Sequence, residues 1–332
     1  MSAQNELSSV LRTSWYDFLT AYQALRPDLY RYCRHLTRSP WDAEDLSQDT
    51  LARAFVTLAQ IGDAPPNPRA WLFRVASNLW IDRVRRRRAE EPLAAEASAP
   101  SAANAPSDPQ STREAAGTLL GQLSPQERAA VVLKDVFDFS LEETAEALST
   151  TVGAVKTALH RARGKLVEPP AEAANPPPSA LLDAFCEAFN AGDLDRLTAL
   201  LLETASVEVV GATTQYGPEA ARRTVLFGML FGVERMIDAE ATPGIEARFF
   251  TDVVASPPRV EARRYRGAWV LLHWYAHHDG EAVRALTLVD ADADRIAGLH
   301  NYFYSPELIA DVCAELGLAS RSNGHRWCLP GR

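Results

Sequence analysis

Two stretches rich in proline and small residues divide the chain and limit how much of it can share one hydrophobic core. Residues 168–178 contain five prolines, and residues 89–112 are mostly alanine, proline and serine with no lysine or arginine. The prolines of residues 168–178 cannot continue the preceding helix, and residues 89–112 cannot bury enough apolar surface to fold alone. The sequence therefore predicts three folded segments, at residues 10–88, 113–168 and 179–332, joined by linkers at 89–112 and 169–178.

The first segment ends in a predicted helix between Arg69 and Arg88. Helical spacing gives it a buried side made of Leu72, Val75, Ala76 and Leu79. Its exposed stripe would consist of Trp71, Arg74, Asn78, Ile81 and Arg85, followed by Arg86, Arg87 and Arg88. Aromatic rings stack on unpaired bases, amides bond base edges and arginines bind phosphates, so the stripe predicts a nucleic-acid surface. A solvated basic helix is the alternative interpretation.

The second segment carries the sequence signals of a helix-turn-helix between Ser124 and Lys165. Ser124–Glu127 and Ser140–Glu143 are capping boxes that predict two helix starts, and Thr150 or Thr151 can cap a third helix. The exposed face of that third helix would present Gly153, Ala154, Thr157, His160, Arg161 and Lys165, with Lys156 and Arg163 flanking it. Such a face suits a recognition helix in a major groove, whereas a helical hairpin without DNA-binding function is the alternative.

Three stretches in a fixed order, residues 42–55, 68–88 and 123–166, resemble a bacterial RNA polymerase sigma factor of the extracytoplasmic-function group. Members of that group keep sigma domains two and four, and the resemblance covers about residues 15–168. It implies two all-helical modules that bind DNA and polymerase, the second of them a helix-turn-helix.

The resemblance also implies roles for residues of the first module. The helix at residues 42–55 would dock on core RNA polymerase. The contacts carried over are Asp45, Leu46, Gln48, Asp49 and Phe55. From the residues alone, this is equally an amphipathic helix with acidic groups favourably placed near its N-terminus.

Promoter contacts follow from the same resemblance. The helix from Arg69, with the loop at residues 62–67, would capture the non-template strand of the −10 element and bind a flipped base, with Asn78 as the first candidate. The −10 contacts would be Trp71, Arg74, Asn78, Arg83, Arg85, Arg86, Arg87 and Arg88. The −35 contacts would be Lys156, Thr157, His160 and Arg161. Ser149 stands at a turn position where the family often has glycine.

The third segment is predicted to be an α+β domain, with helices first and strands after them. Helices are predicted at residues 179–190, 193–202, 218–231 and 306–316. Strands are predicted at residues 206–211, 260–265, 269–276, 283–289 and 295–302.

Residues 188–195, Ala-Phe-Asn-Ala-Gly-Asp-Leu-Asp, resemble the opening of the SnoaL-like superfamily of polyketide cyclases and ketosteroid isomerases. The resemblance spans residues 179 to about 305. It implies a curved sheet that forms a cone with an apolar pocket, and regulation of the sigma factor in cis.

Residues that can line such a pocket are His273, His300 and Tyr302, with Asp252 as a further candidate. His273 and His277 share a face of one predicted strand, but a turn signal after His277 favours solvent exposure over metal binding. No residue is assigned a catalytic role, and no cofactor or metal is expected.

Charge and cysteine content fit this layout. The formal net charge is −9, and residues 1–170 carry 20 basic against 21 acidic side chains, whereas residues 171–332 carry 14 against 22. No apolar run reaches the ~20 residues of a membrane span and no signal-peptide pattern is seen, so we expect a cytoplasmic chain without membrane contact. The four cysteines lack paired spacing, which argues against a disulfide framework or a zinc site.

Three functional hypotheses remain. The first is a sigma factor that binds core RNA polymerase and promoter DNA and is regulated through intramolecular contact with its C-terminal domain. The second makes that domain a sensor of a small-molecule ligand. The third is an isomerase or cyclase fused to a DNA-binding module.

Overall fold

The computed structural model describes residues 3–61, 65–90, 123–164, 179–232, 258–277 and 279–325. They belong to two units, Met1–Ala171 and Glu172–Arg332. The predicted linkers at 89–112 and 169–178 lie outside the described residues, apart from the helix end at 89–90, as do Lys165, Asp252 and Cys328.

Four helices build the first half of unit one. They are α1 (Ala3–Tyr22), α2 (Arg26–Thr37), α3 (Pro40–Ile61) and α4 (Pro68–Glu90), with a 3₁₀ turn at Gln23–Leu25. Side chains of Leu29, Leu36, Leu51 and Leu72 are almost fully buried in these helices. Burial of four leucines of this kind contributes roughly 2 kcal/mol each.

A buried ion pair joins α2 to α3. Arg26 Nη2 donates to Glu44 Oε1 at 2.6 Å, and the Gln48 amide donates to the same oxygen at 2.7 Å. Arg26 and Glu44 are 3% and 0% exposed. Removing one member would leave a buried charge unpaired, which costs about 3 to 5 kcal/mol.

The second half of unit one contains α5 (Pro125–Val131), a π-helical turn (Val132–Val136), α6 (Leu141–Ala147) and α7 (Val152–Gly164). Both predicted capping boxes are confirmed, with reciprocal bonds between Ser124 and Glu127 and between Ser140 and Glu143. Thr151 Oγ1 accepts from the Ala154 N–H at 3.2 Å and caps α7. The predicted order of helix, helix, tight turn and helix is therefore present.

The tight turn between α6 and α7 depends on Ser149. Its φ of 50° lies in the left-handed region. The Ser149 N–H donates to the Glu146 carbonyl and the Thr150 N–H to the Ala145 carbonyl, which is the Schellman pattern. Glycine adopts this conformation without strain, so serine carries a cost at this position.

Unit two combines a mixed six-stranded sheet with helices, in agreement with the predicted α+β class. Its helices are α8 (Ser179–Asn190), α9 (Leu194–Ala199), α10 (Pro218–Ala221, extended by a π-helical turn at Arg222–Leu226) and α11 (Pro306–Leu316). Its strands are β1 (Leu201–Val209), β2 (Thr213–Tyr216), β3 (Arg259–Tyr265), β4 (Ala268–His277), β5 (Gly280–Asp292) and β6 (Arg295–Asn301). The strand order is β2-β1-β6-β5-β4-β3.

One face of this sheet packs against α8, α9 and α10. Val207, Leu271, Val289 and Leu299 share a core with Phe185 and other apolar residues of those helices. The β1–β6 pair is parallel, and the other described pairs are antiparallel. All five predicted strands are present, whereas β2 was not predicted and the second predicted helix ends at Ala199 because the chain enters β1.

The C-terminal end of unit two is tied to β5. The Val283 N–H donates to the Ala319 carbonyl and the Arg321 N–H donates to the Val283 carbonyl. Within the described residues, no helix has the length and apolarity that a bilayer crossing requires.

Candidate nucleic-acid and polymerase interface

Helix α4 presents part of its predicted stripe to solvent. Asn78, Arg85, Arg86 and Arg87 are exposed, whereas Trp71, Arg74 and Arg83 are half-buried. Arg88 lies in the last turn of α4, and its side chain is outside the described residues. The exposed amide and guanidinium groups have the chemistry needed to bond a base edge and adjacent phosphates.

The buried face of α4 differs from the predicted one. Ile81, predicted in the exposed stripe, is 9% exposed, and Phe73 and Trp80 are also buried although they were not predicted to be. For Phe73 the reason is a second packing partner, because its ring contacts those of Phe137 and Phe139 from the segment between α5 and α6. The period of a single helix cannot reveal a face that packs against a distant part of the sequence.

Arginines near the end of α4 pair with acidic side chains of α3. Arg83 Nη2 donates to Asp49 Oδ2, and Arg87 lies 3.7 Å from Asp42. Asp49 was predicted as a polymerase contact and Arg83 as a phosphate contact. The two predicted surfaces thus meet along one edge of the helical unit.

The predicted polymerase contacts on α3 have different environments. Asp45 and Asp49 are exposed and Gln48 is half-buried, whereas Leu46 is 0% exposed. The prediction of Leu46 as a direct contact is corrected, because a side chain in the core supports the helix from inside and offers nothing to a partner.

Aromatic side chains of α1 pack over Phe55, another predicted polymerase contact. The Trp15 and Phe18 rings lie 5.2 and 5.6 Å from the Phe55 ring, and Tyr22 lies 6.4 Å from Trp71. Phe55 and Trp71 are therefore both half-buried beneath α1. The spacing of apolar residues within α3 and α4 gives no sign of this cover, because the covering rings come from a different helix.

Helix α7 presents a continuous polar face. The exposed residues along this face are Gly153, Ala154, Lys156, Thr157, His160 and Arg161. Val155, Leu159 and Ala162 are buried on the opposite side, with Val155 and Leu159 against Ala130 and Ala145. This arrangement matches the predicted recognition helix, in which small groups near the N-terminus permit close approach and donors lie beyond them.

In unit two, His273 belongs to a buried polar chain on the helix-covered face of the sheet. Asn301 Nδ2 donates to Thr287 Oγ1 at 2.9 Å, and Thr287 Oγ1 lies 2.8 Å from His273 Nε2. The Thr287 hydroxyl has one proton and two lone pairs, so it can accept from Asn301 and pair with either tautomer of a neutral His273 ring. Burial lowers the pKa of His273 from 6.5 to about 3, so the ring is neutral.

His300 points to the other face and is separated from His273. Its ring lies 2.8 Å from Asp290 Oδ2 and 2.5 Å from Glu208 Oε1. Those hydrogen bonds, the one to Asp290 first, raise the pKa of His300 from 6.5 to about 10. The predicted pocket set of His273, His300 and Tyr302 is therefore not brought together, because His300 and Asn301 are successive in one strand and face opposite ways.

Tyr302, the third predicted pocket residue, is 3% exposed, and its N–H donates to the Leu286 carbonyl at 2.8 Å. The residues that the sequence did not identify are Thr287 and Asn301. The sequence shows which residues alternate on each face of a single strand. It does not show the register of β4, β5 and β6, which aligns Thr287 and Asn301 with His273. Within the described ranges, no group of three or more His, Cys, Asp or Glu side chains is arranged to bind a metal ion.

Comparison with known proteins follows the same division of the chain. Residues 21–90 match the family model of Sigma-70 region 2, and residues 113–166 match that of Sigma-70, region 4. The ECF RNA polymerase sigma factor SigW of Bacillus subtilis is 30% identical over 151 residues, which are 42% of this chain and 80% of SigW. The chain belongs to the ECF RNA polymerase sigma factors.

Other ECF relatives reach further along the chain. SigG of Mycobacterium tuberculosis is 31% identical over 235 residues, 60% of this chain, and the chain spans 63% of the SigG length. The crystal structure of M. tuberculosis SigJ, an ECF factor, covers 86% of this chain and 95% of its own at 21% identity and a TM-score of 0.32. The family assignment rests on relatives such as SigW, of which the chain covers 80% at 30% identity, and the region 2 and region 4 matches agree with it.

Proposed function

We propose that this ECF family member binds core RNA polymerase and directs it to promoters, with residues 10–88 recognising the −10 element and residues 113–168 the −35 element. The observation that carries the proposal is helix α7. Its four predicted base and phosphate contacts are exposed on one face, while Val155, Leu159 and Ala162 fix the opposite face in the core. A recognition helix needs this combination: one face fixed by packing in the core and another whose hydrogen-bond donors are exposed to DNA.

The first module supports the same proposal. Asn78 is exposed near the middle of α4 and is followed by the exposed Arg85, Arg86 and Arg87. An amide that captures a flipped base offsets the cost of unpairing, about a few kcal/mol, so promoter melting needs no ATP. The neighbouring arginines would bind the displaced strand through its phosphates.

The test is promoter-specific transcription in vitro by bacterial core RNA polymerase with the full chain. The promoter is first selected from a genomic library in the same assay. We expect Asn78→Ala to reduce transcript yield at least tenfold, and Gln60→Ala, which removes an exposed amide from α3, to leave the yield within twofold. Equal yields from Asn78→Ala and Gln60→Ala would contradict the assigned role of Asn78, and no transcript from any form would contradict the proposal.

For unit two, we propose a SnoaL-like domain that modulates the sigma modules in cis. The support is the resemblance of residues 188–195 together with the sheet that covers a helix-lined apolar core. A chain that ends after Glu168 should then give a different transcript yield from the full chain in the assay above. Equal yields at matched concentrations would exclude regulation in cis.

A small-molecule ligand in this domain is a second proposal, which the buried chain of Asn301, Thr287 and His273 favours. A ligand with a neutral hydroxyl or carbonyl could exchange hydrogen bonds with this chain without burying a charge. Thermal-shift measurements of the full chain against hydroxylated and carbonyl-bearing lipophilic compounds test it. Stabilisation that His273→Phe abolishes would support the site, and stabilisation that persists in this variant would contradict it.

Catalysis by unit two receives less support from the same side chains. A general base works best when its pKa lies near the working pH. Burial lowers the pKa of His273 to about 3, and hydrogen bonds to Asp290 and Glu208 raise that of His300 to about 10. The isomerase or cyclase alternative would need a base other than these two histidines.

A further inference from the structure

The last described segment of unit two, residues 318–325, adds a parallel bridge to the sheet. β6 pairs with β5 from Thr287 onward, so the preceding residues of β5 extend beyond β6. Val283 lies in this extension. Its N–H donates to the Ala319 carbonyl at 2.9 Å, and its carbonyl accepts from the Arg321 N–H at 2.9 Å. We name residues 318–325 the strap.

An asparagine side chain of the strap is matched to the groups beside β5. The Asn323 amide nitrogen donates to the carbonyls of Arg284 and Phe303 at 2.5 and 2.9 Å, and its amide oxygen accepts from Arg284 Nε at 2.6 Å. Arg284 Nη2 also donates to the Ser322 carbonyl at 3.1 Å. Because Arg284 is only 7% exposed, asparagine in this register supplies hydrogen bonds to groups that are largely closed to water.

Carboxylates contact the strap on both sides of this asparagine. Arg321 Nη2 donates to Asp279 Oδ2 at 2.6 Å, in the turn before β5. His325 Nε2 lies 2.6 Å from Glu307 Oε1, in the first turn of α11. The two carboxylates therefore face basic side chains that are four residues apart, with Asn323 midway between them. Such a site selects an extended segment with the order basic, asparagine, basic at alternate positions.

The strap has no apolar anchor in the core. None of residues 318–325 is buried, whereas Leu308 and Val312 of the preceding helix α11 are 0% exposed. Gly317 separates the helix from the strap, and its φ of 68° is the left-handed conformation that ends many helices. Hydrogen bonds and ion pairs near the surface contribute little net stability, because water replaces them. The strap can therefore leave β5 while α11 stays in the core.

We propose that the strap occupies a strand-addition site of unit two, at which an extended segment of a partner protein binds in place of the strap. The partner segment carries a basic residue, asparagine and a second basic residue at alternate positions, as Arg321, Asn323 and His325 do. Strand addition supplies affinity through the backbone of Val283, and the side-chain positions supply specificity. The strap is a tethered competitor, so a segment that lacks this pattern does not displace it. This site is independent of promoter recognition by unit one.

Binding of a peptide to the full chain tests the site. The probe is a fluorescent peptide with the sequence of residues 318–325, and its binding is measured by anisotropy. Asn323→Ala and Arg321→Ala in the full chain each weaken the strap and leave the site itself unaltered. We expect both variants to bind the peptide at least tenfold more tightly than the unaltered chain does, because the tethered competitor is weaker. Ser322→Ala, which removes an exposed hydroxyl that accepts from the Gly324 N–H, is the matched control and should stay within twofold of the unaltered chain.

Changes in the peptide test the recognition pattern, with the Asn323→Ala chain as receptor. A peptide whose asparagine is replaced by alanine should bind at least tenfold more weakly than the original peptide. A peptide that keeps the residues of positions 321, 323 and 325 and has threonine elsewhere should bind within fivefold of the original. Equal affinity for the asparagine and alanine peptides would overturn the proposal, and so would failure of the threonine peptide to bind.

Hydrogen exchange at the Val283 amide shows where the peptide binds. This N–H should exchange faster in the Asn323→Ala chain than in the unaltered chain, and saturating peptide should restore slow exchange. Binding without this protection would place the peptide elsewhere and overturn the proposal. If Asn323→Ala loses the circular dichroism of the folded chain, Arg321→Ala decides in the same assays. Dimers of the unaltered chain in light scattering at the same concentration would assign the site to the strap of a second copy and overturn the partner proposed here.

Discussion

Asp49 of α3 and Arg83 of α4 form an ion pair across the first helical module. One belongs to the predicted polymerase surface and the other to the predicted −10 surface. Their side chains are 58% and 27% exposed, so solvent screens the pair and its contribution to stability is small, roughly 0 to 1 kcal/mol. The ion pair has a larger effect on binding than on stability. While it is formed, the Asp49 carboxylate is less available to polymerase and the Arg83 guanidinium is less available to a phosphate.

Removing the carboxylate charge at Asp49 should therefore have opposite effects on the two partners. We expect Asp49→Asn to bind the −10 non-template strand two- to fivefold more tightly at low salt, because an anion leaves the phosphate surface and Arg83 is released. Its affinity for core polymerase should fall. Fluorescence anisotropy at two salt concentrations measures the first effect, with the exposed acid Asp135→Asn as control. Weaker strand binding by Asp49→Asn would show that Asp49 positions Arg83 instead.

Ser149→Gly should stabilise unit one. Ser149 has a φ of 50°, a conformation that costs an L-residue about 1 kcal/mol relative to glycine. Urea unfolding followed by circular dichroism should show a higher free energy of unfolding. The increase should be smaller than the strain relieved, because glycine gives the unfolded chain more conformational entropy. The neighbouring exposed Thr150→Gly has no such strain to relieve and should destabilise. A loss of stability in Ser149→Gly would contradict the argument.

Lys156 and Thr157 should separate affinity from specificity at the −35 element. Lys156→Ala is expected to weaken binding to all duplexes alike and to reduce the slope of log K against log salt by about 0.9, the value for one phosphate contact. Thr157→Ala should instead change the preference among base substitutions in the element, with little change in salt slope. Binding of a substituted duplex series by anisotropy distinguishes the two, and identical salt slopes for Lys156→Ala and the unaltered chain would exclude the phosphate contact.

Acid should destabilise unit two through His273. Burial lowers its folded-state pKa to about 3, whereas the unfolded chain takes up a proton near pH 6.5. The stability contributed by the neutral ring is thus present above pH 6.5 and is lost as the pH falls towards 3, roughly 2 to 3 kcal/mol by pH 4.5. Unfolding of the full chain between pH 7 and pH 4.5 measures it. His273→Gln should show a shallower loss than His160→Gln, an exposed control, and equal losses would contradict the assignment.

His300 should act in the opposite direction at alkaline pH. Its hydrogen bonds to Asp290 and Glu208 raise the folded-state pKa to about 10, so the pairing stabilises fully below pH 6.5 and its contribution disappears as the pH rises through 10. His300→Gln should destabilise the chain at pH 6 and have little effect at pH 10.5. A constant difference across this range, measured by urea unfolding, would show that the charged pairing contributes nothing.

Local signals in the sequence predicted local structure well. The capping residues Ser124 and Ser140 and the polar face of α7 are where the sequence indicates, because caps and helix periods are properties of neighbouring residues. The five predicted strands are present as well, although β1 begins at Leu201, five residues before its predicted start. The four-residue strand β2 was not predicted because its side chains are mostly exposed and polar and give no apolar alternation.

Long-range structure was beyond that reasoning. The face of α4 that contains Phe73 is buried by Phe139, and no pattern within α4 identifies such a partner. The association of His273 with Thr287 and Asn301 depends on the register of three strands and on an irregularity beside His273, which changes the pairing of β4 with β5. The sequence analysis placed His273 and His300 in one pocket because both are histidines. In the sheet their side chains lie on opposite faces.

The hydrogen bond from Arg128 to the Leu36 carbonyl has a consequence for how such chains can be recombined. The last carbonyls of a helix lack partners within it, and here Arg128 of the second helical module satisfies one at the end of α2 in the first. A chimera that takes its second helical module from a relative without arginine at this position would leave the Leu36 carbonyl without this partner. When helical modules are exchanged between relatives, residue 128 and the end of α2 should therefore be taken from the same parent.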